Sequence, residues 1–395
     1  MKARAWTIMI LAGALAVAAF AQEDPNQAYI KAMTAQVPAQ KAQMLKDFLN
    51  KYSGQGVQYE NYALANLAML AYPGKSPQET IEAGEKALSL GGLDDITKYQ
   101  LLLTVAGVYT QTGQNLEKAK SYAMKSVEIA RANRSSDGDE ASRAQWNKMI
   151  GAGLYVHAQA SEKAKDFKSA VDSYIQSYNI LKNKQILADL NKMGKQLMDG
   201  KHYAEAEKLY RTLYASAKDA ATGTLLARSL YYSGKTSEAL AVYKEIYARK
   251  KSGETAYNIG ILLAKDAKTD SSVAPEAIRY LLEAAFLSQS RSKQAMSLAE
   301  NLFFTANKDI KWNELVTQIT DVNKKLEELT KAYNDKFGDK EEESLSASDK
   351  KEMKRILDDI EAEKKKLAPL KAKQQQVIDQ FNKLLADTKA RLGIR

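Results

Sequence analysis

Small side chains recur twelve residues apart along this chain, and that spacing restricts it to a narrow set of folds. Over residues 222–250 the pattern is Gly223-x2-Leu226-Ala227-x2-Leu230, then Gly234, then Ala239-x3-Tyr243-x2-Ile246. Ala227 and Ala239 straddle a turn at Gly234, so on two antiparallel helices they face each other at the same height and let the backbones approach closely. Leu226, Leu230 and Tyr243 flank them at the three- and four-residue steps of one helix face. Gly234 supplies the positive φ that ends the first helix.

The pairing recurs. Ala68, Gly107, Ala158 and Gly194 are followed twelve positions later by Thr80, Ala119, Ala170 and Ala206. Gly260 is followed by Ala277 at seventeen, with the polar stretch 266–275 between them. From Gly194 to Ala227 to Gly260 the period is 33 residues each time, and elsewhere it stretches to 36, 39 and 51. Only six Pro in 395 residues, with abundant Ala, Leu, Lys and Glu, match an all-α chain. That length exceeds what one core organises, but a stack of repeats escapes the limit because each repeat packs on its neighbours.

These residues resemble the tetratricopeptide repeat family, whose pattern is W-x2-L-G-x2-Y…A-x3-F…P over 34 residues. The resemblance covers 61–288 and is strongest over 190–284, as in Leu190-x2-Met193-Gly194-x2-Leu197. It departs in lacking the first Trp and in placing Lys251 near the closing Pro. It implies a superhelical array of six helix pairs whose first helices line a concave groove for a protein or peptide partner. Carried onto this sequence, the groove positions are Tyr62, Met69, Tyr72, Tyr155, Gln159, Asn191, Lys195, Arg228, Tyr231 and Tyr257. Tyr, Asn, Lys and Arg suit recognition because they combine contact area with hydrogen bonding. Asn191, Lys195 and Arg228 partly match the carboxylate-gripping set that some members use on a partner's C-terminus. The same ten residues also read as solvated or as contacts to neighbouring repeats, and an unrelated helical hairpin array is the alternative architecture.

The ends differ from the middle. Met1–Arg4 carries two positive charges, residues 6–20 are almost wholly apolar, and Ala19-Phe20-Ala21 closes the run. This is the pattern of a signal peptide spanning 1–21, short for a membrane span. With no Cys in the chain there is no lipoprotein anchor. The mature protein is thus expected to be periplasmic or secreted, without a transmembrane span after cleavage; an uncleaved anchor is the alternative. Residues 22–27 read as a flexible lead-in to a solenoid over 22–309. Residues 28–37 and 39–52, broken at Pro38, read as a degenerate capping pair within 28–56. Residues 131–140 read as the longest polar interruption, opening a long helix that reaches Lys165.

Toward the C-terminus, Ala295-x2-Leu298-Ala299-x2-Leu302 repeats the first-helix pattern in an extra helix, 292–306, with no normal partner after it. Within 310–395 the period changes. Trp312, Leu315, Ile319, Val322, Leu326, Leu329 and Tyr333 form a heptad seam. A loop over 338–348 leads to a returning stripe of Met353, Leu357, Ile360, Leu367, Leu370, Val377, Phe381 and Leu384, in which Pro369 is expected to kink or interrupt the helix. An antiparallel helical hairpin, or coiled coil, docked on the last repeat is one reading; a dimerisation arm or docking rod is the other.

Catalytic chemistry has little support. The chain lacks Cys and has two His, neither in a metal-ligand or nucleophile–base pattern. His157 falls at a packing position and His202 in a turn. Gly74-Lys75-Ser76 and Gly234-Lys235-Thr236 mimic the end of a phosphate loop but lack its upstream glycine and strand. Acidic pairs such as Asp94-Asp95 and Asp358-Asp359 read as turns or wet faces. No cofactor or metal is expected. Removing Lys2 and Arg4 takes two charges from +10 and leaves +8; the Lys and Glu are interleaved on helix faces, so nucleic acid is not an expected partner. The reading is a non-catalytic exported scaffold binding a protein or peptide, in a cell-envelope assembly. Alternatives are a structural homo-oligomer driven by 310–395, and a carbohydrate-binding or enzymatic envelope protein.

Overall fold

The computed structural model describes residues 23–71, 76–136, 138–306 and 311–394, and every regular element among them is helical. The leader with its cleavage point lies outside the described residues, as does Tyr72. Two compact units divide the chain between Gln196 and Leu197.

The first unit holds α1 (Pro25–Thr34), α2 (Pro38–Tyr52), α3 (Glu60–Ala71), α4 (Pro77–Leu90), α5 (Asp95–Thr112), α6 (Leu116–Ser136), α7 (Glu140–Lys163), α8 (Phe167–Leu181) and most of α9 (Lys184–Asp199). From α1 to α8 consecutive helices pack on one another, and α5 also touches α3 and α7, so these first helices stand side by side. Ala68, Thr80, Ala158 and Ala170 are fully buried, as close contact within a pair requires. Gly107 is only half-buried, and its neighbour Ala106 is sealed instead. The reason is that α5 is covered by four helices and buries Leu101, Leu102, Val105, Val108 and Tyr109, so the spacing alone does not choose between adjacent small residues.

Two expected loops are helical. Asp24 accepts from the Asn26 N–H at 3.0 Å and Pro25 presets the first turn, so α1 starts inside the lead-in. Pro38 likewise opens α2. Residues 131–136 continue α6, because Ser135 and Ser136 hydroxyls donate back to the Ala132 and Asn133 carbonyls while the Asn133 amide donates to Asp95 at 2.9 Å. Asp139 then caps α7.

The second unit holds the end of α9, then α10 (Tyr203–Ala217), α11 (Ala220–Tyr232), α12 (Thr236–Arg249), α13 (Gly253–Asp266), α14 (Ala274–Leu287), α15 (Ser292–Ala306), α16 (Trp312–Phe337) and α17 (Ala347–Leu392). Ala227 and Ala239 are both fully buried, as is Ala277. Leu230, Ile259 and Leu281 fill the seams, each worth roughly 1.5–3 kcal/mol of burial. Three turns within pairs close identically. The N–H groups of Lys165, Lys201 and Gly234 reach the Glu162, Met198 and Tyr231 carbonyls, and those of Asp166, His202 and Lys235 reach Ser161, Leu197 and Leu230. This is the Schellman cap, with lysine twice where glycine is expected.

The last three helices depart most from expectation. α15 does gain a partner: Val377 and Phe381 of α17 pack on Ala299 and Phe303 of α15 and on Ile278, Leu281 and Leu282 of α14. Upstream, α17 packs on α16 through Leu367, Leu370 and Ile356. The returning stripe is one residue off in two places. Leu357 and Leu384 are exposed at 42% and 37%, and Ile356 and Leu385 turn inward instead. Glu363 occupies the seam at 4% exposure, made tolerable by Lys325 at 2.8 Å and Lys366 at 2.7 Å. Pro369 does not interrupt α17, which runs unbroken for 46 residues; its exposed position leaves the one unpaired carbonyl to solvent, while Leu367 and Leu370 hold the turn against α16.

Candidate interaction surface

In the second unit, α11 and α13 bring cations and tyrosines together. Arg228 is exposed on α11, close enough to Tyr210 and Tyr243 for its charge to oppose what burial does to both hydroxyls; burial nonetheless pushes Tyr243 up to about 12. The Lys265 Nζ stands 5.2 Å over the Tyr231 ring, and the Arg291 guanidinium 5.1 Å over Tyr257. Tyr231 meets Tyr232 edge-on, and the half-exposed Tyr232 stacks on Tyr203 at 4.9 Å. Such cation–π contacts hold a charge in place, and Arg291 is further held by Glu254 at 3.6 Å and by donation to Gln294 at 3.1 Å.

Four residues of this face were not singled out from the sequence: Tyr232, Ile261, Lys265 and Arg291. Ile261 is 37% exposed, and a signal for it existed, since Tyr257, Ile261 and Lys265 follow the four-residue step of one helix face.

In the first unit the candidates are spent differently. The Tyr62 hydroxyl accepts from the Asp94 N–H at 3.0 Å, and its ring meets Tyr59 edge-on. The Tyr155 hydroxyl donates to Asp189 at 2.6 Å, which ties α7 to α9; burial first, then this carboxylate, pushes its pKa well up. Met69 packs on the core around Leu67 and Ala68, and Gln159 is half-buried. Asn191 and Lys195 are exposed on α9, the former donating to its own helix at Leu187.

A cleft of about 440 Å³ opens between α4, α5 and α6, lined by Glu85, Leu88, Leu102, Tyr122 and Lys125 among others. Glu85 in its lining accepts from Tyr109 and Tyr122, both at 2.9 Å, and pairs with Lys118 at 2.7 Å. Burial pushes this carboxyl up, but the three donors outweigh it and hold it below its usual range. His157 Nδ1 lies 2.8 Å from the Ser173 hydroxyl, and burial followed by Lys120 lowers its pKa. His202 precedes α10. Among the described residues no cluster of three or more His, Asp or Glu is placed to hold a metal, and no helix is long and apolar enough to cross a membrane.

No family model and no curated protein matches the chain. Solved structures similar to it include a tetratricopeptide repeat protein from Parabacteroides merdae, at 14% identity and a TM-score of 0.33 over 69% of this chain and 99% of that one. The TPR2AB domain of yeast Sti1, in its complex with an Hsp90 segment, is similar at 17% identity and a TM-score of 0.26 over 61% and 98%. Yeast Tom70 is similar at 12% and 0.21 over 89% and 97%. At such low identities and TM-scores the fold rests on the chain's own features: small residues sealed twelve apart, Schellman turns within pairs, and, in the first unit, α3, α5 and α7 side by side. By those features the chain is an all-α protein built from helix pairs of the tetratricopeptide type.

Proposed function

We propose that the protein is a non-catalytic, exported scaffold that binds a protein or peptide partner on its first helices, in a cell-envelope assembly. The observation that carries this reading is the α11–α13 face, where Arg228, Tyr231 and Tyr257 stand with Lys265 and Arg291 over their rings. Tyr and Arg are the residues whose contacts most often dominate interface energies. Asn191 and Lys195, exposed on α9 in the first unit, are candidates in their own right. Tyr62, Met69 and Tyr155 serve chiefly to hold neighbouring helices in place. Export rests on the charged start, the apolar run and Ala19-Phe20-Ala21; a mature chain beginning at Gln22, recovered outside the cytoplasm, is the expected outcome of cell fractionation with intact-mass analysis.

The partner test is co-purification from the cell envelope with wild type and Arg228→Glu, followed by affinity measurement on the partner recovered. Reversing a charge at the centre of the face is expected to weaken binding at least about tenfold, the scale of a 1.4 kcal/mol contact. Equal affinity for both would remove α11 from the site. Self-association through α16 and α17 is a second reading, favoured by exposed Leu357 and Leu384. Light scattering on full-length Leu357→Lys with Leu384→Lys tests it better than truncation, because α17 also covers α14 and α15.

A further inference from the structure

One helix serves two packing partners in the second unit. The first part of α17 faces α16 through Ile356, Leu367 and Leu370, whereas Val377, Phe381 and Leu385 lie on α14 and α15. Between these footholds, residues 371–376 are exposed except for half-buried Gln374. Here no apolar side chain anchors the helix, and the Gln375 amide donates only within α17, to Asp379 at 2.9 Å. Pro369 opens this bare stretch, and without an N–H it deprives the Lys365 carbonyl of its helical donor. The one broken hydrogen bond of α17 therefore lies in the turn just before the stretch that has no apolar side support.

Beyond the bare stretch, the far end is tied by a charge. Arg391 Nη2 lies 3.1 Å from Glu283 Oε1. Glu283 is 2% exposed, and its other oxygen accepts from the Tyr247 hydroxyl at 2.6 Å. Arg279 is the next cation, at 3.8 Å. A buried carboxylate that loses its nearest cation is strongly unfavourable, so Arg391 has a defined place to return to. A Schellman turn at Gly393 keeps it in a formed last turn, with the Ile394 N–H on the Lys389 carbonyl at 3.0 Å.

We propose that α17 is a latched lever: it hinges over residues 369–376, and the Arg391–Glu283 pair holds its second half closed on α14 and α15. Release uncovers Leu281, Leu282, Ala299 and Phe303, and leaves the α16–α17 hairpin attached through the Phe304–Trp312 stack at its root. Tyr257 and Met296 pack on the same cluster as Val377 and Phe381. An occupant of the α13 face, on the function proposed above, is thereby coupled to the latch; the lever itself does not depend on that reading.

The full-length chain has no cysteine, so spin labels at Lys383→Cys, exposed on the second half of α17, and Ser237→Cys report the distance between that half and α12 without background. Wild type is expected to give one narrow distance. Arg391→Ala is expected to add a second population and to speed amide exchange over 377–392 at least tenfold, with α10 to α12 unchanged, and Arg391→Lys to restore the single distance. An unchanged distance and unchanged exchange in Arg391→Ala overturns the proposal, and so does an equal loss of protection in α10 to α12. Should Arg391→Ala not fold, Pro369→Ala decides: slower exchange over 370–376 by about tenfold supports the hinge, and unaltered exchange refutes it.

Discussion

Lys165, Lys201 and Gly234 end their helices at φ of +62°, +62° and +81°, each at the same place in a Schellman turn. Only glycine adopts that conformation without a Cβ penalty, so the two lysines hold strain that the glycine avoids. Lys201→Gly is expected to raise stability by up to about 1 kcal/mol, and Gly234→Ala to lower it by about 1 kcal/mol, both read from chemical denaturation. Gly253 has a different constraint, since a Cβ there would stand 2.4 Å from Ser288 Cβ and 2.6 Å from Ser288 N. Gly253→Ala therefore displaces backbone, at an expected loss of roughly 1–3 kcal/mol. Gly234 was legible in the sequence because it is a glycine beside a helical pattern. Lys165 and Lys201 were not, because lysine in a turn carries no signal of handedness.

Between elements, carboxylates do much of the joining. Glu60 takes the Ser53 hydroxyl, the Gly54 N–H and Lys86, and Glu207 takes Arg211 and Lys235. Burial pushes both carboxyls up, and their donors more than offset it, leaving both below their ordinary value of 4.5, as at Glu85. A carboxyl lowered in the folded state adds stability that is complete above its unfolded value and fades as pH falls through the folded one. Stability is therefore expected to decline as pH falls below about 4.5, and less steeply in Glu207→Gln, checked by thermal melts across pH. Along α17 the expected register failed at Leu357, near which Glu363 sits in the seam with α16, and at Leu384, where the helix has passed to α14 and α15 and turns Leu385 inward. A charged residue breaks an apolar stripe, and the tertiary cations that neutralise it, above all Lys325 on the other helix, leave no local trace. Ile356→Ala should cost about 2–4 kcal/mol and Leu357→Ala no more than about 0.5 kcal/mol, a comparison that fixes the register directly.

At the scale of the molecule, the all-helical, paired architecture was readable because its cause is local: Ala227 and Ala239 lie twelve residues apart and both are sealed. The candidate surface was less readable. Tyr62 and Tyr155 looked available, yet the groups that engage them, Asp94 and Asp189, lie 32 and 34 residues away. Arg228 stayed exposed, while the stacked Tyr203–Tyr232 pair beside Tyr231 came from two different helices. The tryptophans add a practical consequence. Trp146 is buried in α7, in the first unit, and Trp312 stacks on Phe304 at 4.3 Å in the second. In a chain starting at Gln22 these are the two indoles left of three, one to each unit. Trp146→Phe and Trp312→Phe thus turn the same protein into two optical probes, and because repeat proteins need not melt all at once, their emission curves in urea are expected to separate.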